Sequence, residues 1–126
     1  MKYFWIPAAV LAALLAASLW NARQIEAAVE PWRETVGEAV ISAERDDWDK
    51  ALNAMRAARD DWYAHHAYFH IVIAHDELDK VDALFAEAES FAIERDMSEF
   101  RAETAELSEQ LSILVETQKL TIRNVL

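Results

Sequence analysis

The sequence has no cysteine, one glycine and two prolines among its 126 residues. The absence of cysteine excludes a disulfide-stapled scaffold and a thiolate-based zinc or iron–sulfur site. A single glycine excludes the glycine-rich loops that bind phosphate in P-loop and dinucleotide-binding folds. The 24 alanines are strong helix formers, so the composition predicts an all-α protein.

Charge and motif content narrow the function classes further. The chain carries 23 acidic and 12 basic residues, for a net charge of −11. Such a surface repels nucleic acid, so we expect no nucleic-acid partner. The sequence contains no serine nucleophile motif and no pair of carboxylates that can be placed at a common site. We therefore expect no enzymatic activity and no cofactor.

Residues 3–20 form an uncharged run of 18 residues. As a helix this run would be about 27 Å long, which is enough to cross the hydrocarbon core of a bilayer. Trp5 and Trp20 stand at its two ends, as in the aromatic belts of membrane helices. The pattern predicts a membrane anchor at residues 1–20 and a helical domain at residues 21–126.

The positive charge of Lys2 favours a cytoplasmic N-terminus, so residues 21–126 are expected to lie outside the cytoplasm, although Arg23 at the other end of the run weakens this signal. A cleaved signal peptide is the competing interpretation, because Ala16-Ala17-Ser18 offers small residues at a cleavage site. Cleavage there would leave Leu19 and Trp20 at the new terminus. A buried helix of a soluble protein is the third possibility.

The remainder of the chain shows helical periodicity without a linker or a second domain. Apolar residues recur every three or four positions, which is typical of amphipathic helices. We predict helices at about residues 24–44, 47–93 and 97–125, packed as an antiparallel bundle or a hairpin rod. Pro31 is expected to kink the first helix or to mark its start.

The middle helix has an alternative. A break near residues 74–76, with Asp76 as N-cap, would divide it and give a four-helix bundle. No turn-forming residue supports that break, so the sequence favours one continuous helix of about 70 Å.

Two similar strings predict the turns at residues 44–47 and 94–97: Glu44-Arg45-Asp46 and Glu94-Arg95-Asp96. Aspartate is a preferred N-cap residue, so Asp46 or Asp47 should cap one helix and Asp96 the next. Glu99, three residues after Asp96, would complete a capping box.

Four histidines lie within eleven residues: His65, His66, His70 and His75. His66 and His70 are four residues apart and therefore share one helix face, the spacing that allows two imidazoles to bind one metal ion. No motif supplies the remaining ligands. Structural histidines are the competing interpretation, and a site that senses pH is a further one.

An apolar patch surrounds these histidines. Its large side chains are predicted to form an interface with another helix or another chain: Trp62, Phe69, Ile71, Val72 and Ile73. A two-helix rod would leave several of them in water, which is unfavourable. Self-association or an integral membrane partner would cover them in the rod, whereas a four-helix bundle would cover them internally.

The chain from about Trp48 to its end resembles the uncharacterised bacterial family known as domain of unknown function 4363. The resemblance is carried by these features, in order: Trp48 and Trp62, the string His75-x-Glu77-Leu78-Asp79-x-Val81, the Arg95-Asp96 break, Ala105-Glu106-Leu107, and Asn124-Val125-Leu126. It implies a single-anchor membrane protein with a helical extracytoplasmic part. It brings no activity and no catalytic residue, and His65, His66 and His70 lie outside its pattern.

These observations lead to two hypotheses on function. The first is a membrane-anchored helical interaction or scaffold protein that assembles with itself or with an integral membrane partner. The second is an extracytoplasmic sensor of metal or pH that uses the cluster from His65 to His75.

Overall fold

The structure is a computed structural model that describes residues 3–125. Five α-helices follow one another along the chain: α1 (Trp5–Glu44), α2 (Trp48–Ala64), α3 (His66–Val72), α4 (His75–Glu94) and α5 (Met97–Val125). The described part of the chain contains no β-strand. The prediction of an all-α protein with a long apolar N-terminal helix is confirmed.

Four of the helices form an antiparallel bundle. α1 packs against α2 and α5, and α4 packs against the same two helices. Two ion pairs show the register of α1 and α5: Oε1 of Glu26 lies 3.5 Å from Nζ of Lys119, and Oε1 of Glu44 lies 3.2 Å from Nη2 of Arg101. The start of the packed part of α1 is therefore beside the end of α5. Short connections between successive helices give the bundle its up-and-down order.

The helix α1 belongs to two environments. It has 40 residues, which makes it about 60 Å long. Its first buried residue is Ala22, and from there a regular stripe of α1 side chains enters the bundle core. Before Ala22 the helix projects from the bundle, with Trp5 75% exposed and Trp20 58% exposed. α1 continues through Pro31, so this proline does not mark the start of the helix.

The predicted single helix over residues 47–93 is wrong. α2 ends at Ala64, and a second break lies at Ile73 and Ala74, whose backbone is extended (ψ 143° and 139°). The four-helix alternative is nearer to the structure, although Ala74 rather than Asp76 is the N-cap of α4. Burial is the physical reason for the breaks. They allow Phe69 and Ile73 to enter the bundle core, whereas a straight helix would leave part of this apolar stretch in water.

The two turns predicted at residues 44–47 and 94–97 have the same hydrogen-bond pattern. After α1, the backbone N–H groups of Asp46 and Asp47 donate to the carbonyls of Ala43 and Ser42. This is a Schellman motif, and Asp46 takes its left-handed position with φ of 62°. Asp47 then caps α2 by accepting a bond from the backbone N–H of Lys50 at 3.2 Å.

After α4, the motif recurs with Arg95 in the left-handed position at φ of 58°. Asp96 caps α5 by accepting from the backbone N–H of Glu99 at 3.1 Å, so both cap predictions are confirmed. In a capping box, the backbone N–H of Asp96 would donate to the side chain of Glu99. Here it donates to the carbonyl of Phe91 instead.

Candidate functional site at the end of the bundle from which α1 projects

The short helix α3 crosses the end of the bundle from which the exposed part of α1 projects. The hydroxyl of Tyr68 donates a hydrogen bond to the side-chain oxygen of Asn21 on α1. The carbonyl of Val72 accepts a bond from the side-chain amide of Gln118 on α5, at 3.4 Å. These contacts tie the segment of residues 65–74, which we name the α3 cap, to the first and last helices.

The inner face of the α3 cap is aromatic. Phe69 is 1% exposed, and its ring centroid lies 5.9 Å from that of Trp32 and 5.3 Å from that of Trp62. The two indoles meet edge to face at 5.6 Å. Each such pair contributes about 0.5–1.5 kcal/mol beyond the burial of its area. The cluster fixes the cap against the core.

The five residues predicted to form an interface are therefore divided. Trp62, Phe69 and Ile73 are buried within the chain's own core. Val72 is half-buried, and Ile71 faces solvent with 82% of its surface exposed. Intrachain packing covers most of the patch, as expected for a four-helix bundle, and leaves Ile71 at its outer face.

Buried indole N–H groups beside the cap are paired with carboxylates. Nε1 of Trp32 donates to Oδ2 of Asp61 at 2.5 Å, and Nε1 of Trp62 donates to Oδ1 of Asp82 at 2.6 Å. Hydrogen bonds to an ionised acceptor are shorter and stronger than neutral ones. The spacing of residues along the chain does not predict Asp61 and Asp82 as partners, because they lie 29 and 20 residues from their tryptophans on other helices.

The histidines are distributed around the cap. Nε2 of His66 lies 2.9 Å from Oδ1 of Asp82 and donates to it, since a carboxylate can only accept. Nδ1 of His65 lies 2.8 Å from the carbonyl oxygen of Asp61 and donates to it for the same reason. Nε2 of His75 lies 3.4 Å from the carboxylate of Asp79.

The proposed metal pair stands close together without further ligands. The ring centroids of His66 and His70 are 4.8 Å apart, and those of His70 and His75 are 5.6 Å apart. Within residues 3–125, no group of three or more histidine, aspartate or glutamate side chains is arranged to hold a metal ion. Metal binding by His66 and His70 stays a prediction.

A groove opens between the cap and α1. It has a volume of about 440 Å³ and is lined by Trp20 and Gln24 from α1 and by Ala64, His65 and Tyr68 from the opposite side. Burial raises the pKa of the Tyr68 hydroxyl above its ordinary value, which keeps the group protonated as the donor to Asn21. The groove thus lies at the junction between the projecting and the packed parts of α1.

Comparison with known proteins places the chain in a family. A family model described as Domain of unknown function (DUF4363) matches residues 19–125. The chain belongs to this family. The match begins where α1 approaches the bundle and covers all the helices that pack in it, so the DUF4363 domain and the helical bundle coincide. No curated protein and no solved structure matches the chain.

Within this DUF4363 domain, the acidic residues are unevenly distributed along the chain. All 23 of them lie in residues 26–61 and 76–116. Residues 1–25, 62–75 and 117–126 contain none. The fold brings the described parts of these three separate segments together, because α3 contacts both Asn21 and Gln118. The cap itself thereby has no negative side chain, although Asp76, Glu77 and Asp79 follow it directly at the start of α4.

A second group of titratable residues lies between α4 and α5. Burial, a hydrogen bond with Glu87 and the negative charges of Glu87, Glu106 and Glu99 raise the pKa of Glu103 to about 7. Its Oε2 atom is buried and has no hydrogen-bond partner within residues 3–125. This carboxyl group therefore carries a proton over part of the neutral range.

Proposed function

We propose that the protein is a single-pass membrane protein that displays its helical bundle outside the cytoplasm as an interaction or scaffold module. Residues 1–20 act as the anchor, and the bundle assembles with a second copy or with an integral membrane partner. The observation that carries the proposal is the contrast within α1. Its apolar 18-residue window has a mean hydropathy of 1.6, yet only 6% of that window is buried.

The exposure of this segment argues against its use as a core helix. A core helix of a soluble protein buries its apolar side chains, whereas here Leu14 is 60% exposed and Ile6 is 66% exposed. Exposed apolar surface of this extent is unfavourable in water and favourable in lipid. Trp5 and Trp20 would lie at the two headgroup regions. The groove beside Trp20 would be within reach of an integral membrane partner.

The absence of cysteine allows a direct topology test. Ser98→Cys places a thiol in the first turn of α5, and Ser18→Cys places one in the anchor. In intact cells, a membrane-impermeant maleimide should label Ser98→Cys and should not label Ser18→Cys. Labelling of Ser98→Cys only after lysis would refute the extracytoplasmic location. Cross-linking of the labelled protein in its native membrane would then identify the assembling partner.

The row of rings from His66 through His70 to His75 favours a second candidate function, the sensing of a metal or of pH. The carboxylates of Asp82 and Asp79 lie beside the two end members of this row, His66 and His75. Metal stoichiometry after purification in metal-replete buffer tests the metal form. Stoichiometric metal that is lost in His70→Ala would support it, and metal-free protein would exclude it.

A further inference from the structure

The outer face of the α3 cap exposes a large apolar side chain at the anchor-side end. Ile71 is 82% exposed, and its neighbour His70 is also exposed. Nearby on α5, Leu120 is 51% exposed. The contacts of Tyr68 and Val72 hold the cap in place, so Ile71 projects from a fixed element.

The level of the cap along α1 follows from its contacts. Tyr68 bonds to Asn21, the residue directly after Trp20. On the α5 side, Ile122 lines a second groove together with Leu19. The cap and the end of α5 therefore lie at the height at which α1 would leave a bilayer, where interfacial side chains are found.

The charge of this end is mixed, with basic residues on α1 and α5 and acidic residues at the start of α4. It contains no acidic residue in the cap, and the nearby helix ends carry Arg23 and Arg123, both exposed. Lys119 also lies there, paired with Glu26 at 3.5 Å. The exposed carboxylates of Asp76 and Asp79 at the start of α4 would be repelled by lipid phosphates, so contacts with phosphate are expected only beside α1 and α5.

We propose that the α3 cap docks on the surface of the bilayer that holds the anchor. Ile71 enters the boundary between headgroups and acyl chains, and Arg23 and Arg123 contact lipid phosphates beside α1 and α5. The inference rests on the proposed anchor, because the anchor sets the height of the cap. Docking would fix the bundle upright on the membrane in one orientation.

Single-cysteine labelling of the full chain tests the docking. Ile71→Cys carries a nitroxide at the cap. Ile93→Cys is the matched control, because Ile93 is 60% exposed near the opposite end of the bundle. Val10→Cys, in the anchor, reports on the proposed function itself. Each variant is reconstituted in vesicles of phosphatidylcholine and phosphatidylglycerol, and its accessibility to oxygen and to a water-soluble relaxation agent gives the depth of the label.

We expect the label at position 71 about 5–10 Å within the headgroup and acyl boundary, the depth of interfacial helices. The label at position 93 should be in water and the label at position 10 in hydrocarbon. The charge reversal Arg23→Glu with Arg123→Glu should move the label at position 71 towards water.

Three results would overturn the docking. A label at position 71 in water, with position 10 in lipid, would refute it and leave the anchor intact. A label at position 71 shielded from both agents would show that a protein covers the cap instead. A label at position 10 in water would refute the proposed anchor and the docking together.

Discussion

The side chain of Tyr68 on α3 donates a hydrogen bond to that of Asn21 on α1, 47 residues earlier in the chain. The bond joins the cap of the bundle to the point at which α1 changes from a projecting helix to a core helix. It therefore couples the orientation of the bundle to that of the projecting part of α1.

Removal of this bond should measurably destabilise the domain. Tyr68→Phe keeps the ring and removes only the hydroxyl, so the free energy of unfolding in mild detergent should fall by about 1 kcal/mol. A double-mutant cycle with Asn21→Ala should return a coupling energy of similar size. Tyr63→Phe is the matched control, since Tyr63 is 46% exposed, and it should change stability by less than about 0.5 kcal/mol. A coupling energy of zero would show that the bond between Tyr68 and Asn21 does not stabilise the domain.

Asp82 should be the most sensitive acidic residue near the cap. One of its oxygens accepts from both Trp62 and His66. Asp82→Ala leaves the buried indole N–H without a partner, so we expect a loss of about 2–3 kcal/mol on chemical unfolding. Asp79→Ala, which removes an exposed aspartate of the same helix beside His75, should cost less than about 0.5 kcal/mol. Equal losses in the two variants would contradict the assigned role.

Arg95 has a backbone conformation that is sterically unfavourable for a residue with a Cβ atom. Its φ of 58° is the left-handed position of the Schellman motif, where glycine has no steric penalty. Arg95→Gly should therefore raise the free energy of unfolding by about 0.5–1 kcal/mol. Arg95→Ala keeps the Cβ atom and should give no such gain. If both variants lose stability, the left-handed conformation at Arg95 is not the source of strain.

Because of Glu103, the free energy of unfolding of the domain should fall as pH rises. Its pKa of about 7 in the folded state is above the ordinary value of 4.5, so the folded state binds its proton more tightly than the unfolded state. This contribution is fully present below pH 4.5 and is lost as pH rises through about 7.

Glu103→Gln should flatten the pH dependence of the melting temperature over that interval, and the variant should melt above the wild type at pH 8. Glu109→Gln, an exposed change on the same helix, should leave the dependence unaltered. Indistinguishable pH profiles for wild type and Glu103→Gln would contradict the raised pKa.

Local chemistry explains which parts of the fold the sequence predicts. Asp47 and Asp96 are N-caps whose effect depends on residues within one helical turn, so their positions can be read directly. The breaks that flank α3 have no such local signal, because no glycine or proline lies near them. They depend on the burial of Phe69 and Ile73 against helices distant in sequence.

The sequence predicts which residues lie at the candidate site but does not predict which side chains they contact. The sequence locates the histidines and the apolar patch, but it does not show which side chains of the patch face inward. A change of helix direction at the breaks decides that Phe69 is buried and Ile71 exposed, two residues apart. The partners of Trp62 and Tyr68 lie on α4 and α1, so spacing within one helix cannot find them.

The most direct test of the central claim is the intact mass of the protein recovered from membranes after extraction at alkaline pH, which removes peripheral proteins. We predict that the protein stays in the membrane fraction and that its mass includes residues 3–20. A shorter species in the soluble fraction, beginning near Leu19, would show that the apolar segment is a cleaved signal peptide and would contradict the account.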